Sequence, residues 1–318
     1  MGKISELNQN LTNITLLSHS CVQKKDKNGN PYVEFTLTDG EKTISAKKFN
    51  TSTFEVSDCI AENTVVDCEI TYNTPYYNLS SIKKSASQNI KDFVRSTPID
   101  ENEMFDFIVS AMQEYVENEG SISNIGIILY EKYKSKLLNW SASKSMHHNM
   151  MGGLLYHIYR MVLAANKLME IYQPIDGELL ITSIALHDIG KLVELDTNEV
   201  GVASYTNEGE LFGHLEIGIE MVDFIARKGE YDKEKTKLLK HCIASHHGTR
   251  EFGAIQVPRI KEAFLLSKID DMDAKIYMFD SIYNELEPGK FEEKAHYGLD
   301  AKIYRPEFTK DTEYKKYI

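Results

Sequence analysis

The sequence predicts a multidomain β + α protein: a small N-terminal β-barrel of the OB type, then an all-α helical bundle. Three observations carry this. Residues 12–84 are rich in β-branched and aromatic residues and are broken by turn chemistry. From Pro98 onward, apolar residues recur every three or four positions, the spacing of a helix face. Seven side chains of metal-ligand type, His157, His187, Asp188, His214, His246, His247 and Asp270, all fall in that helical part.

Five strands are expected at 13–22, 32–37, 42–49, 64–72 and 76–82. The run Asp26-Lys27-Asn28-Gly29-Asn30-Pro31 and the pair Asp39-Gly40 supply turns between them. Five short strands in about 75 residues fit a small barrel of the OB type, with a small β-sandwich as the alternative. Residues 85–100 read as a linker, which places one domain at 1–90 and a second at 97–318. Met104, Phe105, Ile108, Met112 and Tyr115 mark the first helix face. Further helical segments are expected at 121–138, 146–172, 176–188, 212–228, 232–246 and 258–284. The irregular tail after Pro288 reads as a strap over the helical domain.

A chain of 318 residues, 42% hydrophobic and 26% charged, is long enough for two buried cores. No apolar run approaches the ~18 residues that cross a bilayer, so no membrane role is expected. The N-terminus lacks a charged stretch followed by an apolar one, and position 6 is Glu rather than the Ser or Thr of a myristoylation signal. Cys21, Cys59, Cys68 and Cys242 have no paired spacing, which points to free thiols in a reducing cytoplasm. The net charge of −12 is unevenly spread. Residues 1–95 hold 11 basic and 11 acidic side chains, and the remainder holds 25 and 37. All the excess acid therefore lies in the part with the His/Asp cluster, where divalent cations would offset it. A basic face on the neutral barrel remains free to capture a polyanion.

The adjacent pair His187-Asp188 ends an apolar stretch. Burying an ionised Asp there without a cation or hydrogen bonds is expensive, which favours a metal. Gly190 is expected to permit a turn, after which Lys191 directs a fixed cation back at the site. A single His on an apolar helix, such as His157, is by itself usually a satisfied core residue. His214 follows Gly213 at a helix start. His246 and His247 close another helix; both could bind metal, or one metal and one phosphate. Asp270 and Asp273, three apart, share one helix face, while Asp271 points away. A structural zinc needs four ligands, preferably with Cys. A larger His/carboxylate set suits two catalytic cations that clamp a phosphoryl group and activate water. Dinuclear iron oxygenases use a similar ligand shell, so the residues alone leave that reading open.

The order His, His-Asp, His, His-His, Asp resembles that of HD-type metal phosphohydrolases. Longer stretches resemble the YhaM-type 3′→5′ exoribonuclease family, an OB-fold joined to an HD domain. They are Met146-His147-His148 with 152–157; 186–191; 208–214; Ser245-His246-His247-Gly248 with Phe252-Gly253; Ile269-Asp270 with Asp273-Ala274-Lys275; and Tyr304-Arg305-Pro306. In the barrel the likeness rests on Asp39, Ala46-Lys47 and the strand pattern. The resemblance implies that His157, His187, Asp188, His214, His246 and Asp270 are metal ligands, with His247 a further ligand or phosphate contact. It implies that Lys191, His147 and His148 face the scissile phosphate. Two divalent cations are implied, with manganese favoured over iron, cobalt or magnesium. The implied activity trims single-stranded RNA, and also single-stranded DNA, from the 3′ end to nucleoside monophosphates. Three places depart from the family: Ala254–Pro258 lack its Ser-Pro run, Ser267-Lys268 replace a frequent His, and Lys48-Phe49 stand where Trp is usual.

Lysines and aromatics interleave in the barrel, and Lys47, Phe49 and Tyr76 are the candidates there for contacting phosphates and bases. Alternate aromatics in a barrel are mostly core, so only these are singled out. The chain is expected to form a homo-oligomer. The competing function is an HD-type nucleotide phosphatase or cyclic-nucleotide phosphodiesterase on small substrates, which would need no guide domain. A non-catalytic nucleic-acid binder with a vestigial site is the other.

Overall fold

The computed structural model describes residues 3–40, 42–59, 61, 63–93, 97–140, 152–197, 203–296 and 298–309. The chain divides into two compact units, 1–95 and 96–318.

The first unit is a closed five-stranded barrel. Its strands are β1 (Thr12–Lys25), β2 (Pro31–Thr38), β3 (Thr43–Phe49), β4 (Thr64–Asn73) and β5 (Tyr76–Lys84). They pair in the order β1-β2-β3-β5-β4, and β4 returns to β1. The β3–β5 contact is parallel, through Ala46 opposite Tyr77 and Lys47 opposite Asn78; the other pairs are antiparallel. Alternation fills the interior with Leu16, Val33, Phe35, Leu37, Val66 and Ile70. Cys68 lies in the same core, where burial pushes its thiol far above the usual range. The parallel contact brings Lys47 and Tyr76 together from distant positions in the sequence.

The second unit is helical. Its elements are α1 (Glu101–Gln113), α2 (Ser123–Leu137), α3 (Gly153–Ile171), α4 (Gly177–Leu186), α5 (Lys191–Glu194), α6 (Asn207–Ala226), α7 (Lys233–Ser245) and α8 (Lys261–Glu285). Asp100, Asp176, Thr206 and Asp232 accept first-turn amides and start four of them. α4 is apolar on all sides, and every residue from Glu178 to Leu186 is buried. Such a helix belongs at the centre, and α4 touches α1, α2, α3, α7 and α8. Its one buried acid, Glu178, is paired with Lys235 at 2.7 Å and accepts from Ser123 N.

Several expectations need correcting. α3 begins at Gly153 rather than 146, because Gly152 takes φ +71°, which a right-handed helix cannot include. Residues 141–151 lie outside the described set, and His147 and His148 with them. The expected helix at 212–228 starts earlier, at Asn207, and kinks at Gly213 (φ 69°, ψ 161°). A hairpin of β6 (Leu195–Thr197) and β7 (Ala203–Tyr205) precedes it and has no counterpart among the expected elements. The tail does fold back: Phe291 bridges Tyr304, and buried Arg305 donates to the carbonyls of Tyr283 and Leu286 at the end of α8.

Gly190 was expected to allow a turn, but its φ is −62°, open to any residue. Its reason is a close approach. A Cβ there would lie 2.0 Å from the His214 carbonyl oxygen and 2.8 Å from Gly218 N, so α5 and α6 touch backbone to backbone. Backbone on both sides leaves little room to yield. Gly190→Ala is therefore expected to cost about 1–3 kcal/mol, seen as a thermal midpoint lower by several degrees. An unchanged midpoint would show that the contact can relax.

Candidate metal centre

Five elements deliver the expected ligands to one buried point. His157 comes from α3, His187 and Asp188 from the end of α4, and His214 from just past the α6 kink. His246 and His247 follow from the end of α7, and Asp270 from the middle of α8. His157, His187, Asp188 and His246 are almost wholly buried. Their nitrogens and oxygens form three overlapping groups, each within 4.8 Å: His157, His187 and Asp270; His187, Asp188 and His246; His214, His246 and His247.

Four of the five rings are aimed by a bond at the other nitrogen. His187 Nδ1 donates to the Ile184 carbonyl and His246 Nδ1 to the Ile243 carbonyl, both at 2.8 Å. In these two the helix that carries the ring also orients it, three residues upstream. His157 and His214 are aimed by carboxylates instead. Asp273 lies 2.8 Å from His157 Nδ1, and Glu194 lies 3.0 Å from His214 Nδ1 while also accepting from His214 N. Arg160 holds Asp273 in turn, at 2.8 Å. Every Nε2 then faces inward.

The inward atoms lie close to one another. His157 Nε2 is 3.2 Å from Asp270 Oδ1, and His187 Nε2 is 3.3 Å from Asp188 Oδ2. Asp188 Oδ1 is 3.5 Å from His214 Nε2 and 3.7 Å from His246 Nε2. His214 Nε2 lies 3.2 Å from His247 Nε2. Among the described residues, the buried His187 Nε2 and Asp188 Oδ1 have no hydrogen-bond partner. Buried polar atoms are rarely left so. A lone-pair nitrogen and a carboxylate oxygen aimed at the same space are what a divalent cation requires, so the donor set fits one. Asp188 stands between the groups, with His187 on one side and His214 and His246 on the other. Its place suits a carboxylate shared by two cations.

The electrostatics agree. Burial pushes His246 well below the usual range, and the His187 and His247 rings push it further. Burial and then His214 lower His247. Both are therefore neutral, as ligands must be. Burial works against ionising Asp188, but Lys191 and His187 outweigh it and hold the carboxyl ionised, well below its usual range. Lys191 is part of this pair: its ammonium is 2.7 Å from Asp188 Oδ2. Its main chain is pinned by Trp140 Nε1, which donates to the Lys191 carbonyl at 3.1 Å. The amine expected to face a phosphate is thus held by Asp188 in this structure.

Glu194 and Asp273 had no assigned role in the sequence reading. Asp273 shared a face with Asp270 and so could have been found. Glu194 offered no signal, because its partner is 20 residues away across the hairpin. Asp271 is exposed and paired with Lys275, as its position suggested. In the barrel, Lys47 Nζ lies 5.5 Å from the Tyr76 ring and 5.7 Å from that of Tyr32, and Phe49 packs 5.3 Å from Tyr32. Phe49 and Tyr76 are about half exposed.

Two outcomes follow from this geometry. Glu194→Gln removes the charge that aims His214, so divalent-metal affinity should fall about 10–100-fold by calorimetry, and an unchanged affinity would count Glu194 out. The second concerns His157. Burial lowers its pKa, but Asp270 and Asp273 outweigh this and raise it to about 9. Without metal the ring is protonated at neutral pH, and a cation must displace that proton. Affinity should therefore rise by about tenfold per pH unit below 9 and level off above it. Calorimetry in buffers of different ionisation enthalpy would register the released proton.

All seven expected ligands, with Lys191, Glu194 and Asp273, lie within residues 154–275, which match the HD domain family. Over more than nine-tenths of its length the chain is also similar to curated proteins. It is 31% identical over 305 residues to the 3′-5′ exoribonuclease YhaM of Bacillus subtilis, covering 93% of this chain and 95% of that one. It is 32% identical to the protein of that name from Shouchella clausii, covering 93% of each, and 30% identical to that of Listeria monocytogenes, covering 92% and 94%. The likeness thus runs through barrel and helical unit alike, and the chain belongs to the YhaM family of 3′-5′ exoribonucleases.

Proposed function

We propose that this protein is a metal-dependent 3′→5′ exonuclease that hydrolyses single-stranded RNA, and also single-stranded DNA, to nucleoside monophosphates. One observation carries the chemistry: inward-facing imidazole nitrogens and two carboxylates converge on a buried space, with Asp188 between the two sides. Two divalent cations bound there would neutralise phosphate charge and bring a water's pKa near neutrality. The mixed imidazole and carboxylate set suits a first-row transition metal, and manganese, which the family resemblance favours, is the cation we assign. His157, His187, Asp188, His214, His246, His247 and Asp270 would hold the pair. Lys191 adds a fixed cation beside the reacting phosphate, where developing negative charge needs it. Asp273, Arg160 and Glu194 keep the rings aimed so that little rearrangement is needed as the reaction proceeds.

The exposed Lys47–Tyr76–Phe49 patch supports a capture role for the barrel, with the ammonium following phosphates and the rings stacking on bases. A phosphatase or cyclic-nucleotide phosphodiesterase would need no such patch, and the barrel falls within the match to the exoribonucleases. Among the described residues no helix is long and apolar enough to cross a membrane. The four cysteines are free thiols, which fits the cytoplasm.

The test uses 3′- and 5′-labelled RNA with manganese present and absent. A 3′ label should leave at once as mononucleotide, and a 5′ label should pass through a descending ladder. Asp188→Asn should lower the rate by orders of magnitude while the thermal midpoint stays measurable, because an amide cannot serve two cations as an anion. Lys47→Glu should weaken capture of long RNA, more so at low salt, and leave bis-p-nitrophenyl phosphate hydrolysis unchanged. Normal turnover by the Asp188 variant would remove the cluster from the mechanism.

A further inference from the structure

The helical unit carries two apolar surfaces of opposite charge. The first is a groove of about 1080 Å³ between the end of α3 and the start of α8. Ile171, Tyr172 and Phe264 line it and stay 69%, 56% and 54% exposed. Arg259, Lys261 and Lys268 line it too, and no carboxylate does. Three cations without an acid are unusual in a unit that holds the chain's whole acidic excess.

The second surface is the first turn of α6. Leu211 and Phe212 are 75% and 61% exposed, with exposed Glu208 and Glu210 beside them. Acids at a helix start are ordinary, but two adjacent exposed large apolar residues are not. Local geometry commits them to solvent. Gly209 packs so tightly on Glu194 that a Cβ would lie 2.2 Å from its carbonyl oxygen. The kink at Gly213 then turns His214 inward to Glu194. The turn is thus clamped at both ends and protrudes as an acidic, apolar knob.

The knob cannot fill the groove of its own chain. It sits two residues from the metal cluster, whereas Ile171 lies 14 residues along α3 from His157, roughly 20 Å away at the helical rise. We infer that the groove receives the Glu208–Phe212 turn of a second copy, in a head-to-tail contact. Leu211 and Phe212 enter the apolar floor, and Glu208 and Glu210 meet Arg259, Lys261 and Lys268. Each copy offers one knob and one groove, so the contact repeats, into a ring where its rotation closes and into an open chain where it does not. Each contact would then seat one copy's groove beside its neighbour's metal centre.

Two double variants of the full chain test this without substrate, so the outcome is independent of the proposed activity. One carries Ile171→Glu and Phe264→Glu, the other Leu211→Ser and Phe212→Ser. Light scattering after size exclusion should give a multiple of 36.3 kDa for the wild type and one chain for each variant, with circular dichroism confirming folded protein. Mixing the variants should give a 1:1 dimer and nothing larger, because one intact knob then meets one intact groove. Lys268→Glu should weaken assembly, and adding Glu210→Lys should restore it. A monomeric wild type, or either double variant keeping the wild-type mass, would overturn the contact. Groove variants that lose only RNA binding would also overturn it and make the groove a nucleic-acid surface.

Discussion

The helical unit depends on keeping one carboxylate, Asp188, ionised in an almost dry interior. An isolated buried carboxylate is strongly disfavoured, so everything around it is arranged to keep it charged. Lys191 is 2.7 Å away, three imidazoles approach it within 4 Å, and burial still works against it. α4 exists to place it there, a helix apolar on every side that runs through the middle of the bundle and ends at the cluster. Closing the site then requires α5 and α6 to touch through Gly190, and α6 to bend at Gly213.

The two means of aiming the histidines have different consequences. His187 and His246 are held by carbonyls of their own helices, so their orientation is as rigid as the helix end. His157 and His214 depend on carboxylates from other elements, Asp273 on α8 and Glu194 on α5. The cluster is therefore a tie between helices as well as a place for chemistry. Metal binding and the packing of α3, α6 and α8 belong to one balance, and changes in the outer carboxylates should act on both.

The barrel obeys a simpler logic. Its core is set by alternation, and closure through β3 and β5 assembles an exposed group of one lysine and several aromatic rings. The same feature that removes open edges thus gathers the patch to which the capture role is assigned.

Much of this was legible in the sequence. The five strands, the main helices and the candidate ligands show themselves because alternation, helical periodicity and His/Asp chemistry are local signals. Pairings at a distance leave no such trace. Glu194 reads as one of many acids until the hairpin brings it to His214. Gly190 reads as a turn residue until α6 lies against it, and the start of α3 depended on the backbone angle at Gly152. The exposure of Leu211 and Phe212 likewise arises from the bend at Gly213. Residue types and their periodicity determined which side chains could do the chemistry and which elements carry them. Only the tertiary structure decided which oxygen orients which ring and where two backbones meet, because those depend on distances between segments that no local pattern encodes.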